Sequence, residues 1–194
     1  MHSDKLNPKD NISISLTRGV GFRDICQAKG QFWWECMRPD GTLRWREHYS
    51  NVVATVGKNQ LLEAGLNGSA YTVTGPYVGL ISGNSFSAVS ASDTMSSHSG
   101  WLEAGAANAP QYSGTRKTVV WAAASGGAMA FNAVISFSIT GDGPVEGLFI
   151  VFGSGASATI GDTNGVLFSA GVASGGERQA YSGDILNSNY SISL

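Results

Sequence analysis

The sequence predicts an all-β protein, a β-sandwich or jelly-roll-like body of about ten short strands with one short helix and an extended N-terminal arm. Three observations predict it. Short apolar or alternating runs recur at even spacing through most of the chain, and Gly/Ser/Asp clusters such as "TGDGP", "SGAS" and "SGGERQ" separate them. Glycine makes up 26 of 194 residues, and charged residues only 13%. That is about half the usual charged share. The length suits one domain with its own core, plus an arm.

Residues 1–30 are polar and mixed, with "NISISLTRG" the one strand-like run, and read as the arm; residues 31–194 read as the sandwich. The body opens with "QFWWECMRPDGTLRWREHYSN" (31–51). Phe32, Trp34 and Cys36 share one face by period two, Pro39-Asp40-Gly41 makes a turn, and Leu43 and Trp45 resume the alternation, so a β-hairpin is expected. Residues 56–66, "VGKNQLLEAGL", carry the helical signal, with Leu61, Leu62 and Leu66 on one side and Lys58 and Glu63 on the other. Strands are then expected at 77–82, 100–105, 117–124, 128–132, 134–140, 146–153, 165–171 and 184–194. In "VISFSIT", Ile135, Phe137 and Ile139 alternate with Val134, Ser136 and Ser138, which predicts one buried and one wet face. "LFIVF" is apolar throughout and predicts burial on both faces.

Charge is uneven. Residues 1–60 hold nine Lys/Arg against six acids, a balance of +3, and residues 61–194 hold three against eight, a balance of −5. The two parts are expected to face different surroundings. This is far from the charge of a basic nucleic-acid domain, so no nucleic-acid partner is expected. The start "MHSDKLNPKDN" has no apolar h-region, and no apolar run approaches the ~18 residues that span a membrane, so a soluble chain is expected. Cys26 and Cys36 leave two readings open, a disulfide and two buried thiols, the second being the simpler.

Catalytic and cofactor patterns are weak. His2, His48 and His98 have no neighbour at a metal-ligand spacing. "GDTNG" (161–165) offers Asp162 and Asn164 as oxygen donors but lacks the further acids of a calcium loop. "GNSFS" (83–87) breaks the nucleophile-elbow pattern at its last position, and Cys36 and His48 fall well apart along the predicted hairpin. His98 lies in "SDTMSSHSG", a polar loop by composition. Acids such as Asp142, Asp162, Glu177 and Asp184 stand singly beside turns, where capping is the default role. No enzyme activity, metal or cofactor is expected.

The hairpin aromatics and arginines admit two roles. Stacking of single-stranded bases is one. The strand phase favours the other: Phe32, Trp34 and Trp45 in the core, Arg44 and Arg46 outward. Trp33 stands on the face opposite Phe32 and Trp34, and an outward Trp beside arginines suits a protein contact. The expected contact residues are Trp33, Arg38, Arg44, Arg46 and Tyr49, with Arg18 and Arg23 of the arm.

Four segments, "ECMRPDGTLRWREHYSNVVATVGKNQLL", "GSAYTVTGPYVGLIS", "DTMSSHSGWLEAGAANAPQYSGTRKTVVWAA" and "GGERQAYSGDILNSNYSIS", give the chain from about residue 31 onward a resemblance to small virion proteins of tailed bacteriophages. It is most similar to head decoration, or cement, proteins. The resemblance implies a sandwich or jelly-roll body bound to the capsid exterior, with the major capsid protein and sister copies as partners and synthesis in the bacterial host cytoplasm. A tail or neck fibre that binds host glycan is the alternative, with Tyr71, Tyr77 and Tyr112 as sugar-stacking aromatics.

Overall fold

The computed structural model describes residues 28–67 and 74–194. The expected all-β body is present. Among the described residues, eleven strands and one helix follow in the order β1 Lys29–Met37, β2 Leu43–Val53, α1 Thr55–Leu66, β3 Tyr77–Ser82, β4 Leu102–Glu103 and β5 Lys117–Thr118. They continue as β6 Ala128–Ala130, β7 Ile135–Ser138, β8 Gly143–Phe152, β9 Val166–Val172, β10 Arg178–Ala180 and β11 Ile185–Ser193. All pairings are antiparallel along the path β4-β3-β8-β9-β2-β1-β11-β6, with β10 on β8, β5 on β3 and β7 on β11.

Strand β2 joins the two halves of this path. Its first part pairs with β1, Gln31 opposite Ser50 through Cys36 opposite Trp45, and its end, Asn51–Val53, pairs with β9. The sheet folds over there, and its two halves close on one core. Phe32, Trp34, Phe137, Leu186 and Tyr190 come from one half, and Val78, Leu80, Leu148, Ile150 and Phe168 from the other. This is the sandwich arrangement, in which inward residues of both halves interdigitate. β1 begins at Lys29, so two residues of the predicted arm belong to the sheet.

The hairpin forms as its turn residues dictate. Gly41 takes φ +80°, its amide donates to the Arg38 carbonyl (2.9 Å), and Asp40 Oδ1 accepts from the Thr42 amide (2.9 Å) and hydroxyl (2.7 Å). The alternation at 134–140 also holds: Ile135, Phe137 and Ile139 are buried, while Val134 is exposed. In β8, Leu148 and Ile150 enter the main core, and Phe149 and Val151 enter a second cluster on the opposite face with Ile81, Met95, Trp101 and Leu167. The strand is buried on both sides, as its apolar run predicts.

Several expectations need correction. The runs at 100–105 and 117–124 contribute only two ladder residues each, and the rest of the second run, 119–124, makes one isolated bridge, Trp121 to Phe131. Strand β10 lies within a stretch read as turn punctuation. The stretch 92–100 was read as a polar loop, yet its Met95 turns inward and, with the following Trp101, roofs the second cluster.

Helix α1 spans the expected residues, but neither of the two expected sides is buried, Lys58 and Glu63 being exposed as well as the leucines. Leu61, Leu62 and Leu66 are exposed, and the one buried residue is Gly57. A Cβ at Gly57 would stand 2.7 Å from the Phe168 carbonyl oxygen and 2.9 Å from Phe168 Cα. The helix lies against the β9 backbone, and only a residue without a side chain permits that approach.

Candidate interaction surface

The expected contact residues separate once the sheet is built. Trp33 stands on the outer face of β1, half-buried, between Asn189 of β11 and His48 of β2 in the ladder. Its ring lies edge-on to His48 at 6.4 Å, and the Arg46 guanidinium carbon is 5.9 Å from the ring centre. Arg46 Nε and Nη2 donate to Glu35 Oε2 at 3.0 and 2.7 Å. Glu35 Oε1 also accepts from Asn187 Nδ2 (3.3 Å), and Asn187 Oδ1 accepts from Ser136 (2.7 Å). The outer face of β7, β11, β1 and β2 is thus a polar, hydrogen-bonded platform with one large aromatic side chain in it. Cation–π contact and ladder neighbours hold that ring in place without covering it fully.

Other candidates are engaged elsewhere. Arg38 Nη1 donates to Thr42 Oγ1 (3.1 Å) and the Leu43 carbonyl (2.7 Å), bracing its own turn. Arg44 is not presented outward. Its Nε and Nη2 bind Asp184 Oδ2 and Oδ1 at 2.8 and 3.0 Å, and its guanidinium lies over Tyr181 at 4.5 Å. Tyr49 is a correction too: it is 5% exposed, packed on Phe32 and Trp34 in the core. Burial, with Glu47 and Glu146 nearby, pushes its phenol well above the usual range. Arg18, Arg23 and Cys26 lie outside the described residues.

The aromatics expected to stack on sugar fare no better. Tyr112 is buried edge-on to Phe137, Tyr77 packs against the second cluster, and Tyr71 lies outside the described residues.

Three further ionic ties among the described residues, one buried and two partly so, hold the body, and none was legible beforehand. Asp184 has its side chain fully buried and also accepts from Cys36 Sγ (3.4 Å) and the Tyr181 amide (2.9 Å). Burial, and then the neighbouring Asp184 carboxylate, pushes the Cys36 thiol up to about 12, so it is inert as a nucleophile near neutral pH. Glu47 accepts from the Ser174 amide and hydroxyl and from Arg178 Nη2 (2.9 Å), tying the β9–β10 turn to β2. Arg116, fully buried, binds both oxygens of Glu103 (2.8 and 2.7 Å) and the carbonyls of Ser157 and Asp162. A guanidinium therefore faces the "GDTNG" loop, where Asp162 Oδ1 caps the Asn164 amide (2.8 Å).

Among the described residues, no group of three or more His, Cys, Asp or Glu could hold a metal ion. His98 Nδ1 contacts the Trp101 carbonyl (3.1 Å), whereas Asp93 accepts from the Trp101 indole (2.9 Å), so this His and Asp serve Trp101 separately. No helix among the described residues is long and apolar enough to cross a membrane.

What fold and surface define together is an all-β sandwich body with one aromatic-bearing polar platform. No family model, curated protein or solved structure matches the chain.

Proposed function

We propose that the protein is a structural component of a phage particle, a decoration protein that binds the outer capsid surface and stabilises the shell. The observation that carries this reading is the platform of Trp33, Arg46 and His48, presented on the outer face of β1 and β2 by an inward-packed hairpin. Trp and Arg are the usual anchors of protein interfaces, and a ring already held in place loses little entropy on docking. A chain with 13% charged residues is also suited to meeting neighbours over much of its surface. The partners are the major capsid protein and sister copies, with neither nucleic acid nor membrane involved and no enzymatic step. The protein is made in the bacterial host cytoplasm and resides on the capsid exterior. Mechanism here is adhesion: a protein that binds the assembled shell but not free subunits stabilises the shell by mass action.

Quantification of the protein against the major capsid protein in purified particles tests the assignment. A ratio near one to one, or a simple fraction of it, is expected; a handful of copies would overturn decoration. A second reading, a tail or neck adhesin for host glycan, is favoured by one observation. Trp33 has the side chains of Asn189 and His48 beside it in the ladder and Arg46 above it, an aromatic ring among hydrogen-bonding groups that also suits a sugar. Low copy number, together with glycan binding lost in Trp33→Ala, would support it.

A further inference from the structure

An open groove of about 440 Å3 lies beside α1, within the roughly 300–1,000 Å3 range of binding sites. Its walls are almost wholly apolar: Leu61 from α1, Met129 from β6, Phe152 from β8, Phe168 from β9 and Ile192 from β11, with Trp121 from the chain before β6. Leu61 is 38% exposed. Water against such a surface is unfavourable, so the groove suits an apolar occupant.

A second hollow of about 730 Å3 adjoins it, the two sharing Ala128 and Ile192. Much of its lining comes from the place where β2 leaves β1, Ser50 still pairing with Gln31 and Asn51 already with Gly171 of β9. This lining is of another kind. Lys29 and Lys58, both exposed, stand on it with Gln31, Ser50, Asn51 and Ser193. Among the described residues, neither Asp nor Glu lines either hollow. Two lysines and no acidic side chain on a concave lining favour an anionic group there.

An apolar chain that ends in an anionic head matches the two hollows in order. Each methylene taken out of water tightens binding by about fourfold at best, so the groove would select for chain length. The lysines would select for charge at the head. A bilayer surface fits less well, because this apolar lining is recessed in a groove drawn from five separate elements.

We infer that the protein binds a free single-chain fatty acid in its ionised form, with the hydrocarbon chain in the groove beside α1 and the carboxylate in the hollow of Lys29 and Lys58. This rests on the two linings and their contact, and is independent of the virion reading.

Titration calorimetry on the full-length chain, with dodecanoate kept below its micelle concentration, tests it. One saturable site is expected, with octanoate at least about tenfold weaker and the uncharged dodecanol severalfold weaker. Ala64 lies on the groove lining at an exposed position of α1, so Ala64→Trp can fill the groove without disturbing the core. It is expected to weaken dodecanoate about tenfold. Lys29→Glu combined with Lys58→Glu is expected to weaken dodecanoate severalfold and to leave dodecanol unchanged. No uptake of dodecanoate by the wild-type chain overturns the inference, and so does uptake that Ala64→Trp leaves unchanged. Equal affinity for dodecanoate and dodecanol overturns the carboxylate assignment. Attachment to anionic phosphatidylglycerol vesicles without a saturable dodecanoate site assigns the surface to a membrane and overturns it as well.

Discussion

Arg44 and Asp184 lie 140 positions apart and form a two-point ion pair, with Nε–Oδ2 at 2.8 Å and Nη2–Oδ1 at 3.0 Å. The Asp184 side chain is fully buried, and Arg44 keeps a 23% exposed edge. The pair fastens the β10–β11 corner to the hairpin that carries Trp33. Arg44→Ala would leave a buried carboxylate without its counter-charge. The variant is expected to unfold at a clearly lower urea concentration than wild type, with the loss softened because water can still reach the Arg44 side of the pair. A urea-unfolding midpoint close to wild type would contradict it.

Acid should weaken the same tie. Burial by itself raises the Asp184 carboxyl, but hydrogen bonds from Arg44, the Tyr181 amide and Cys36 outweigh it and hold the folded group below its ordinary value. Glu47 behaves alike: burial raises it, and Ser174, Arg178 and Gly175 bring it down. A depressed folded value contributes stability that is present above the unfolded value, about 3.9 for Asp and 4.3 for Glu, and lost as pH falls through the folded one. Stability should therefore decline as pH falls below about 4, and Asp184→Asn should flatten part of that decline. Unfolding free energies measured from pH 7 to pH 2.5 check both statements.

Glu146 has the opposite sign. Burial, and next the nearby Glu177, raise its carboxyl above the usual range, so the charged form burdens the folded state near neutral pH. Glu146→Gln should raise the thermal midpoint at pH 7, and the gain should shrink as pH falls and Glu146 itself takes up a proton. A variant equally stabilised at both ends of that range would mean the effect is not electrostatic.

Gly57→Ala sets propensity against packing. Alanine favours a helix by about 1 kcal/mol over glycine. Here its Cβ would press on the Phe168 backbone at under 3 Å. Overpacking of that kind costs about 1–3 kcal/mol, so net destabilisation is expected. A thermal midpoint above wild type would show that α1 shifts away from β9 easily.

Adjacent tryptophans should answer differently to truncation. Trp34 is fully buried, and Trp34→Ala should cost about 3–5 kcal/mol. Trp33 is on the outer face, and Trp33→Ala should cost about 1 kcal/mol or less while abolishing attachment to particles. Chemical denaturation and co-sedimentation with stripped particles separate the two roles. Unchanged particle occupancy for Trp33→Ala would exclude this platform as the contact.

Much of the fold was legible because a strand repeats every two residues. Ile135, Phe137 and Ile139 announced one buried face, Leu148 to Val151 announced two, and Pro39-Asp40-Gly41 announced its turn. These are local properties, settled by backbone geometry over a few residues. Periodicity groups side chains on a face, but it does not say which neighbour that face will meet. Leu61, Leu62 and Leu66 were grouped as one side of α1, yet all three are exposed, and the helix meets β9 at Gly57 instead. Met95 came from a stretch read as a polar loop to help roof the second cluster, and Tyr49 of the predicted contact set went into the core. The ties of Arg44 to Asp184, Glu47 to Arg178 and Arg116 to Glu103 join charges from separate strands and loops. Sequence alone determined most of the longer strands, the buried faces of β7 and β8, and the hairpin carrying Trp33. Only the tertiary structure decided which charges are spent inside and which side chains remain on the surface, because burial depends on partners distant in the chain.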